Sequence, residues 1–490
     1  MTDFRATLSA RLGGYGSAPF IRFDRTWYSG NDITAYITRV EDHLARAGVG
    51  ADEPVGLVVR NRVPHAAAIL GFIAAGRPIV MIYSYQSEQA IAHDITALRL
   101  PAILADRQDW TVPALRAAED SGSAAIALSG PDLGVEALAP RTATDPAAQQ
   151  YRAGLHILSS GTTGAPKRVP VHIAALQHTM LTMTVGQQPS ADDPPELVYW
   201  PFGSIGVCQL LVGPYLGKRV VLLERFTVDA WVDAVKTYRI KRTGVQPALL
   251  RMLLESDVTR EDLASLEYLP GGSGPLEPQL REEFESRFGI PLFWAYGATE
   301  FAGSVCAWTP ELHRRYGATK PDSSGKPLPG VQVRIVDPDT GAELPVGDRG
   351  LLEARIDLVR PDWIRTTDIA SVDSDGFITV HGRADGAINR GGFKILPETV
   401  RAVLVTHPAV RDACVVGIPD PRLGQVPAAA VELRHDAPVP STAELTGLVR
   451  QALPSHHVPV AITVVDELPR NAALKVRPAD VAALFDARGS

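Results

Sequence analysis

Short apolar strands alternate with helical segments through the first third of the chain, and this alternation restricts the fold more than any other feature. Residues 32–47 place Ile33, Ile37, Val40 and Leu44 at helical spacing. The other elements predicted in this region are strands at 54–59, 78–83 and 102–105 and helices at 65–75 and 88–98. Strands that alternate with helices at this interval imply an α/β fold with a parallel sheet and helices on its faces.

The pattern of elements changes near residue 325. Short strands bounded by turns are predicted at 331–337, 350–355 and 376–381, and they are typical of a small antiparallel or barrel-like unit. A segment rich in glycine and charge, residues 382–394, then resembles a hinge. A chain of 490 residues is long enough for more than one domain. We therefore predict an N-terminal domain at 1–383 and a C-terminal domain at 384–490.

Charge and cysteine usage limit the partners and the compartment. The net charge of −7 gives no reason to expect nucleic acid or an anionic membrane as a partner. The three cysteines are far apart and lack the spacing of a metal site or a disulfide framework, which favours a reducing cytoplasm. Because the N-terminus lacks a signal-peptide core and the most apolar segment is too short to span a bilayer, we expect no membrane insertion.

Residues 159–167 concentrate hydroxyl groups, glycines and a lysine directly after an apolar stretch. Glycines let backbone N–H groups approach an anion, hydroxyls add uncharged donors, and Lys167 supplies a cation. The run indicates a polyphosphate-binding loop and hence an ATP-using enzyme, although it does not fit the Walker pattern. Taken alone, it is also compatible with an ordinary solvent-exposed turn.

Further clusters follow this loop in a fixed order. Gly271-Gly272 opens a turn that could admit a flat ligand, and Tyr296 offers an aromatic face that could stack on a purine. Glu300, four residues later, could hold Mg²⁺ as a hard oxygen ligand. Asp368 could accept hydrogen bonds from ribose hydroxyls. Each cluster alone could be an ordinary loop or strand end, but their order and spacing make coincidence improbable.

This ordered set resembles the superfamily of adenylate-forming enzymes, which contains acyl-CoA synthetases, firefly luciferases and the adenylation domains of nonribosomal peptide synthetases. The resemblance covers essentially the whole chain, from the phosphate loop to Lys475. It implies a large N-terminal domain of two doubly wound α/β subdomains plus a small β-barrel-like subdomain. A small mobile C-terminal α+β domain that carries the catalytic lysine is expected to follow.

By this resemblance, a carboxylate attacks the α-phosphate of ATP and gives acyl-AMP and pyrophosphate, with Mg²⁺ as the metal. The residues that the resemblance assigns to the nucleotide are Ser159, Ser160, Gly161, Thr162, Thr163 and Gly164 of the loop, Gly271, Gly272 and Ser273 beside the adenine, Tyr296 stacked on it, and Asp368 and Arg383 on the ribose. Those assigned to catalysis are Lys167, Thr299, Glu300 and Lys475, with Glu300 and Thr162 as metal ligands. Asp385 matches the hinge about which the C-terminal domain is expected to rotate.

The acid site departs from the pattern of many relatives at residues 200–206. Gly203 and Ser204 stand where relatives carry a gating ring or, in enzymes that activate amino acids, an aspartate. Without a counter-charge, an α-amino acid is an improbable substrate. The predicted walls of the pocket are Trp200, Phe202, Val245, Phe301 and Ala302. They suit a hydrophobic or aryl carboxylic acid, although the same side chains could be ordinary core.

The acyl acceptor stays open at this stage. Coenzyme A is the commonest acceptor for free-standing members of the superfamily, whereas a carrier protein would have to act in trans. An amine that captures the acyl-adenylate directly is the third possibility. The usual acidic positions at 399 and 401 are Thr399 and Arg401, and a glycine that usually precedes the catalytic lysine is Leu474. A non-enzymatic nucleotide-binding relative would be expected to have lost the catalytic residues, which are all present.

Overall fold

A computed structural model describes residues 3–130, 132–143, 151–159, 167–185, 187, 193–203, 206–272, 276–298, 301, 303–384, 386–390, 393–420, 423–471 and 474–486. Its elements up to the phosphate loop are α1 (Phe4–Gly14), β1 (Pro19–Phe23), β2 (Thr26–Ser29), α2 (Gly30–Arg46), β3 (Val55–Val59), α3 (Val63–Ala75), β4 (Pro78–Tyr83), α4 (Glu88–Leu98), β5 (Ala102–Asp106), α5 (Val112–Ser121), β6 (Ala124–Ser129), β7 (Gly134–Ala139) and β8 (Gly154–Ser159).

The middle of the chain continues the alternation of helices and strands. Its elements are β9 (Lys167–His172), α6 (Ile173–Met183), β10 (Glu196–Val198), α7 (Val207–Leu216), β11 (Val220–Leu222), α8 (Val228–Tyr238), α9 (Pro247–Leu254), β12 (Leu269–Gly271), α10 (Pro278–Phe288), β13 (Leu292–Ala298), β14 (Gly303–Ala307) and α11 (Pro310–Tyr316).

The last third contains mostly strands and then a small α+β unit. Its elements are β15 (Lys326–Pro327), β16 (Val331–Val336), β17 (Gly350–Ile356), β18 (Arg360–Val372), β19 (Ile378–Arg383), β20 (Ile388–Arg390), β21 (Phe393–Ile395), α12 (Pro397–Leu404), β22 (Val410–Asp420), β23 (Gly424–Leu433), α13 (Thr442–Ala452), β24 (Ala461–Val465) and α14 (Pro478–Asp486).

The first sheet confirms the parallel α/β prediction. It has seven strands in the order β7-β6-β5-β3-β4-β8-β9, and its five central strands are parallel. The antiparallel neighbours β7 and β9 form its edges. Strand β3 is buried along its whole length, as expected for a strand covered by helices on both faces.

The second α/β subdomain is built from two short sheets. The second sheet has the order β10-β11-β1-β2, and the third has the order β12-β13-β14-β15. The β1–β2 hairpin comes from the N-terminus of the chain and joins β11 through the parallel pair Ile21 and Val220. Both side chains are fully buried, so apolar packing holds together strands that are far apart in the sequence.

The last two sheets form the barrel-like unit and the small C-terminal domain. Strands β16 to β19 are consecutive antiparallel neighbours, as the turn-bounded pattern predicts. The fifth sheet, in the order β21-β20-β23-β22 with β24 beside β23, is packed against α12, α13 and α14. The predicted hinge segment 382–394 thus overlaps the β20–β21 hairpin, which ends at Ile395. The boundary at 383 and the mobility of the C-terminal domain remain predictions.

The three cysteines are free and buried in three different places: Cys208 in α7, Cys306 in β14 and Cys414 in β22. Burial raises the pKa of each thiol to about 12. In the described parts of the chain, no helix combines the length and apolar character that a bilayer crossing requires.

Candidate active site

Three neighbouring strands of the first sheet end at the same edge. Strands β3, β4 and β8 are parallel, and they end at Val59, Tyr83 and Ser159. Ligands of open α/β sheets bind at the carboxyl ends of such strands. The predicted phosphate loop begins at this edge, and its two ends are fixed because Ser159 of β8 pairs with Lys167 of β9.

The residues predicted to bind adenine and ribose are brought together by the barrel-like unit. The hydroxyl of Tyr296 at the end of β13 donates a hydrogen bond to the Asp368 carboxylate. Asp368 on β18 is in register with Arg383 on β19. Burial, followed by the negative charge of Asp368, raises the pKa of Tyr296, so its hydroxyl stays a donor. The structure therefore places an aromatic ring, a carboxylate and a cation in one cluster.

Thr367 adds a contact that the sequence pattern does not predict. It stands where the family usually has a glycine, and its Oγ1 accepts a hydrogen bond of 2.8 Å from Nη2 of Arg383. The departure from the usual motif therefore orients the arginine that is predicted to hold the ribose.

Lys475 interacts electrostatically with Arg383 of this cluster. Lys475 is solvent-exposed, but the protein around its amine still removes part of the hydration of the cation. This desolvation and the positive charge of Arg383 both lower the pKa of Lys475. The backbone N–H of Lys475 donates to Oδ1 of Asn471 over 3.0 Å, and the N–H of Asn471 donates to the Lys475 carbonyl over 2.9 Å. The lysine therefore stands on a closed turn whose other end is Asn471.

Leu474 fastens this turn to the N-terminal domain. Its side chain packs against the buried cluster of the second and third sheets, which contains Trp231, Val245 and Trp294. Its φ of 58° is in the left-handed region. Glycine adopts this conformation without strain, whereas the conformation costs a leucine roughly 1–2 kcal/mol. The unfavourable backbone conformation of Leu474 is therefore offset by an apolar contact, which positions the lysine turn.

The predicted glycine turn lies next to the predicted pocket wall. The N–H of Gly272 donates to the Val245 carbonyl over 3.3 Å, so Val245 runs alongside the turn. A Cβ built on Gly271 would lie 2.1 Å from Cζ3 of Trp294, so only a glycine fits under this ring. The segment that precedes α9 therefore lies alongside β12 of the third sheet.

Two buried amides hold the loop that carries Trp200, Phe202 and Gly203. Asn61, the second residue after β3, donates to the Trp200 carbonyl over 2.9 Å and accepts from the Phe202 N–H over 3.0 Å. Oε1 of Gln209 accepts from the N–H of Tyr199 at 3.0 Å and from that of Trp200 at 3.2 Å. The acid-site loop is therefore fastened to the carboxyl edge of the first sheet.

Replacing Asn61 by alanine is expected to raise the KM for the acid at least several-fold while the KM for ATP changes little. The change leaves the buried Phe202 N–H and Trp200 carbonyl unpaired, and each loss costs about 1–3 kcal/mol. Steady-state pyrophosphate release with each substrate varied in turn measures both values. Thr96→Ala, an exposed change on α4, is the control, and an equal rise in both KM values would contradict a local role for Asn61.

Other predicted residues are placed differently or fall outside the description. Phe301 is fully buried in the core of the barrel-like unit, among residues such as Val305 and Leu352. The predicted site residues outside the described part of the chain are Ser160, Gly161, Thr162, Thr163, Gly164, Ser204, Ser273, Thr299, Glu300, Ala302 and Asp385. Their roles remain predictions.

An interdomain ion cluster joins the two domains behind the lysine turn. It consists of Arg251 and Glu277 of the N-terminal domain and of Arg401, Asp412, Glu432 and Arg470 of the C-terminal domain. Asp412 lies 2.6 Å from both Arg401 and Arg470 and 3.6 Å from Arg251. Arg401 also forms an ion pair with Glu277. Neither this pair nor the pair of Glu277 with Arg251 has hydrogen-bond geometry.

The cluster is buried and balanced in charge. Its side chains are between 1% and 14% exposed, and its three arginines face its three carboxylates, while Glu398 pairs with Arg401 and Arg411 with Glu432 at its margin. Burial alone would raise the pKa of Asp412, but the cations of Arg401, Arg251 and Arg470 outweigh it and lower the pKa. The same face also carries a pair between Arg411 and Glu255 at 2.5 Å. The acidic-to-basic departure at position 401 thus supplies a cation to the domain interface.

Comparisons with known proteins agree with this architecture. Residues 8–358 match the model of the AMP-binding enzyme family, and residues 400–475 match that of the AMP-binding enzyme C-terminal domain. A 2-succinylbenzoate–CoA ligase of Bacillus pumilus is 27% identical over 474 residues, which cover 93% of this chain and 92% of that protein.

Solved structures extend the comparison to the fold. The amide bond synthetase McbA of Marinactinospora thermotolerans superposes with a TM-score of 0.82 at 25% identity, covering 98% of this chain and 99% of that one. ATP-bound MatB of Rhodopseudomonas palustris has a TM-score of 0.85 at 22% identity, covering 99% of this chain and 100% of that one. Both share the large N-terminal and small C-terminal arrangement with this chain.

Proposed function

Because the chain belongs to the AMP-binding enzyme family and is an AMP-forming ligase, we propose that it adenylates a hydrophobic or aryl carboxylic acid and passes the acyl group to the thiol of coenzyme A. The observation that carries the proposal is the cluster of Tyr296, Asp368 and Arg383, whose arginine charge acts on the amine of Lys475. A mobile cation at this place can offset the repulsion between a carboxylate and the α-phosphate of ATP.

The described walls of the acid site support the substrate class. Trp200 is half-buried, Phe202 and Val245 are buried in the apolar clusters that pack against the sheets, and none of the three carries a charge. Apolar and aromatic walls favour an apolar acid, and the Bacillus relative is a ligase of an aryl acid by its name.

The metal and the compartment belong to the same proposal. Mg²⁺ would bind Glu300 and Thr162, both outside the described residues, and would neutralise charge on the phosphates. Among the described residues, no group of three or more histidine, cysteine, aspartate or glutamate side chains is arranged to hold a metal ion. The cytoplasmic location inferred from cysteine usage remains a prediction, as does a carrier protein that acts in trans.

Direct transfer to an amine is the second candidate, and the interdomain ion cluster favours it. A rotation of the C-terminal domain after adenylation would break the two interdomain pairs, Arg401 with Glu277 and Arg251 with Asp412, and would expose buried charges that keep only the partners within their own domain. A small amine could attack the adenylate without that rotation. The similarity to the amide bond synthetase McbA, at 25% identity, supports the same alternative.

Pyrophosphate release followed by mass spectrometry of the products tests the proposal. Aryl, short-chain and medium-chain acids are each incubated with ATP and Mg²⁺, with either CoA or a simple amine added. Acid-dependent pyrophosphate release and a thioester formed only with CoA are expected. An amide formed without CoA would establish the second candidate. No acid-dependent release with any acid, relative to Lys475→Ala as the background, would contradict the adenylation itself.

A further inference from the structure

The ring of Tyr83 lies against Gly203. A Cβ built on Gly203 would lie 2.3 Å from Cε1 and 2.4 Å from Cδ1 of Tyr83, and 3.2 Å from Cγ2 of Val59. The φ of Gly203 is not in the left-handed region, so the backbone alone would accept another residue here. The ring of Tyr83, rather than the chain conformation, is what requires glycine at position 203.

This contact lies at the carboxyl edge of the first sheet. Tyr83 is the last residue of β4, and the next strand of the sheet, β8, leads into the predicted phosphate loop. Gly203 follows Phe202 in the loop that Asn61 fastens to the same edge. The ring therefore lies at the carboxyl edge of the first sheet beside the acid-site loop, where a ligand of an α/β sheet is expected.

The character of the side chain fits a pocket wall. Tyr83 is half-buried, and burial raises the pKa of its hydroxyl to about 12, so the ring is uncharged at neutral pH. Three other walls, Trp200, Phe202 and Val245, are also uncharged. An aromatic ring in contact with the glycine of one wall occupies volume that a larger substrate would otherwise use.

We propose that Tyr83 determines the size of the acid that the site accepts, because its ring fills the space beside Gly203. This inference rests on the proposed function and adds a residue that the sequence pattern does not assign. Gly203 and Tyr83 then act as a pair: the glycine makes room for the ring, and the ring limits the volume left for the acid.

The test compares kcat/KM of pyrophosphate release for benzoic acid and for the larger 2-naphthoic acid. Tyr83→Ala is expected to shift the ratio of the two values at least ~10-fold toward the larger acid, the scale at which pockets discriminate small differences in size. Tyr83→Phe keeps the ring and is expected to keep the wild-type ratio. Tyr85→Ala, an exposed tyrosine two residues later, is the matched control. Since the ratio is independent of the amount of active enzyme, partial misfolding does not affect it.

Substitution of Gly203 provides an independent test of the same contact. Gly203→Ala is expected to lower kcat/KM by roughly 10-fold or more for both acids because the new methyl group displaces the ring. Adding Tyr83→Ala to Gly203→Ala is expected to restore part of the loss, since the two changes affect one contact and are not additive. An unchanged ratio in Tyr83→Ala, or additive losses in the double variant, would overturn the role of Tyr83. A wild-type chain inactive with every acid would instead contradict the proposed function.

Discussion

Replacing Lys475 by alanine is expected to slow acid-dependent pyrophosphate release by about 100- to 1,000-fold, the usual effect of removing one group that stabilises charge in a transition state. ATP binding and the onward transfer of a preformed acyl-adenylate should be largely retained. Lys475 supplies a cation that interacts electrostatically with Arg383 in the predicted nucleotide site. The carboxylate and the α-phosphate need a cation between them only while the adenylate forms, so binding of ATP and the later transfer do not depend on it. Pyrophosphate release and equilibrium ATP binding measure the two effects.

Arg477→Ala is the matched control for this experiment. Arg477 is two residues further along the chain, and its pair with Asp480 is exposed, so its loss should change the rate less than about twofold. Pyrophosphate release at the wild-type rate in Lys475→Ala would refute the assigned role.

The lowered pKa of Lys475 adds a prediction for the pH profile of the wild type. Because desolvation and Arg383 disfavour the cation, Lys475 loses its proton at a lower pH than an ordinary lysine. Adenylation should therefore decline on the alkaline side before free lysine titrates, and full activity up to the ordinary lysine pKa would contradict this environment.

Replacing Arg401 by methionine is expected to lower the free energy of unfolding by about 3–5 kcal/mol, as for other buried ion pairs that lose one partner. The change leaves the carboxylates of Glu277 and Asp412 with one cation fewer in a buried interface. Because the same interface supports the lysine turn through Arg470, adenylation should fall as well. Denaturant unfolding and pyrophosphate release measure the two effects.

Two further variants separate charge balance from simple truncation. Arg450→Met removes an exposed arginine from α13 and should change stability by less than about 0.5 kcal/mol. Arg401→Met combined with Glu277→Gln removes one charge of each sign and should recover part of the lost stability. Equal losses in the single and the double variant would show that the charges of the interdomain ion cluster do not act together.

Local sequence signals predict local structure well in this chain. The predicted strand 78–83 and helix 88–98 coincide with β4 and α4, since the helix follows the capping residue Ser87 and its apolar positions recur at helical spacing. The sequence does not predict the place of the β1–β2 hairpin, because it pairs with β11 about two hundred residues later. Nothing near Ile21 in the sequence indicates Val220 as its neighbour.

The residues of the site also fall into two groups: those that local motifs predict and those whose roles depend on contacts far away in the sequence. Tyr296, Asp368, Arg383 and Lys475 were predicted from ordered motifs, and the structure brings them together. Asn61 was missed because its role depends on contacts 139 and 141 residues away. Tyr83, Gln209 and the ion pairs of Arg401 were missed for the same reason. The signals that the sequence did offer are a polar amide two residues after a buried strand and the charge reversal at position 401.

The buried cysteines make this chain convenient for observing its own domain movement. With pKa values near 12 and little access to solvent, the three thiols should react slowly with maleimides in the folded protein. One new exposed cysteine on α8 and one on α13 would then accept a fluorophore pair on an unreactive background. The distance between the dyes, followed through turnover, would report whether the C-terminal domain leaves its place after the adenylate has formed.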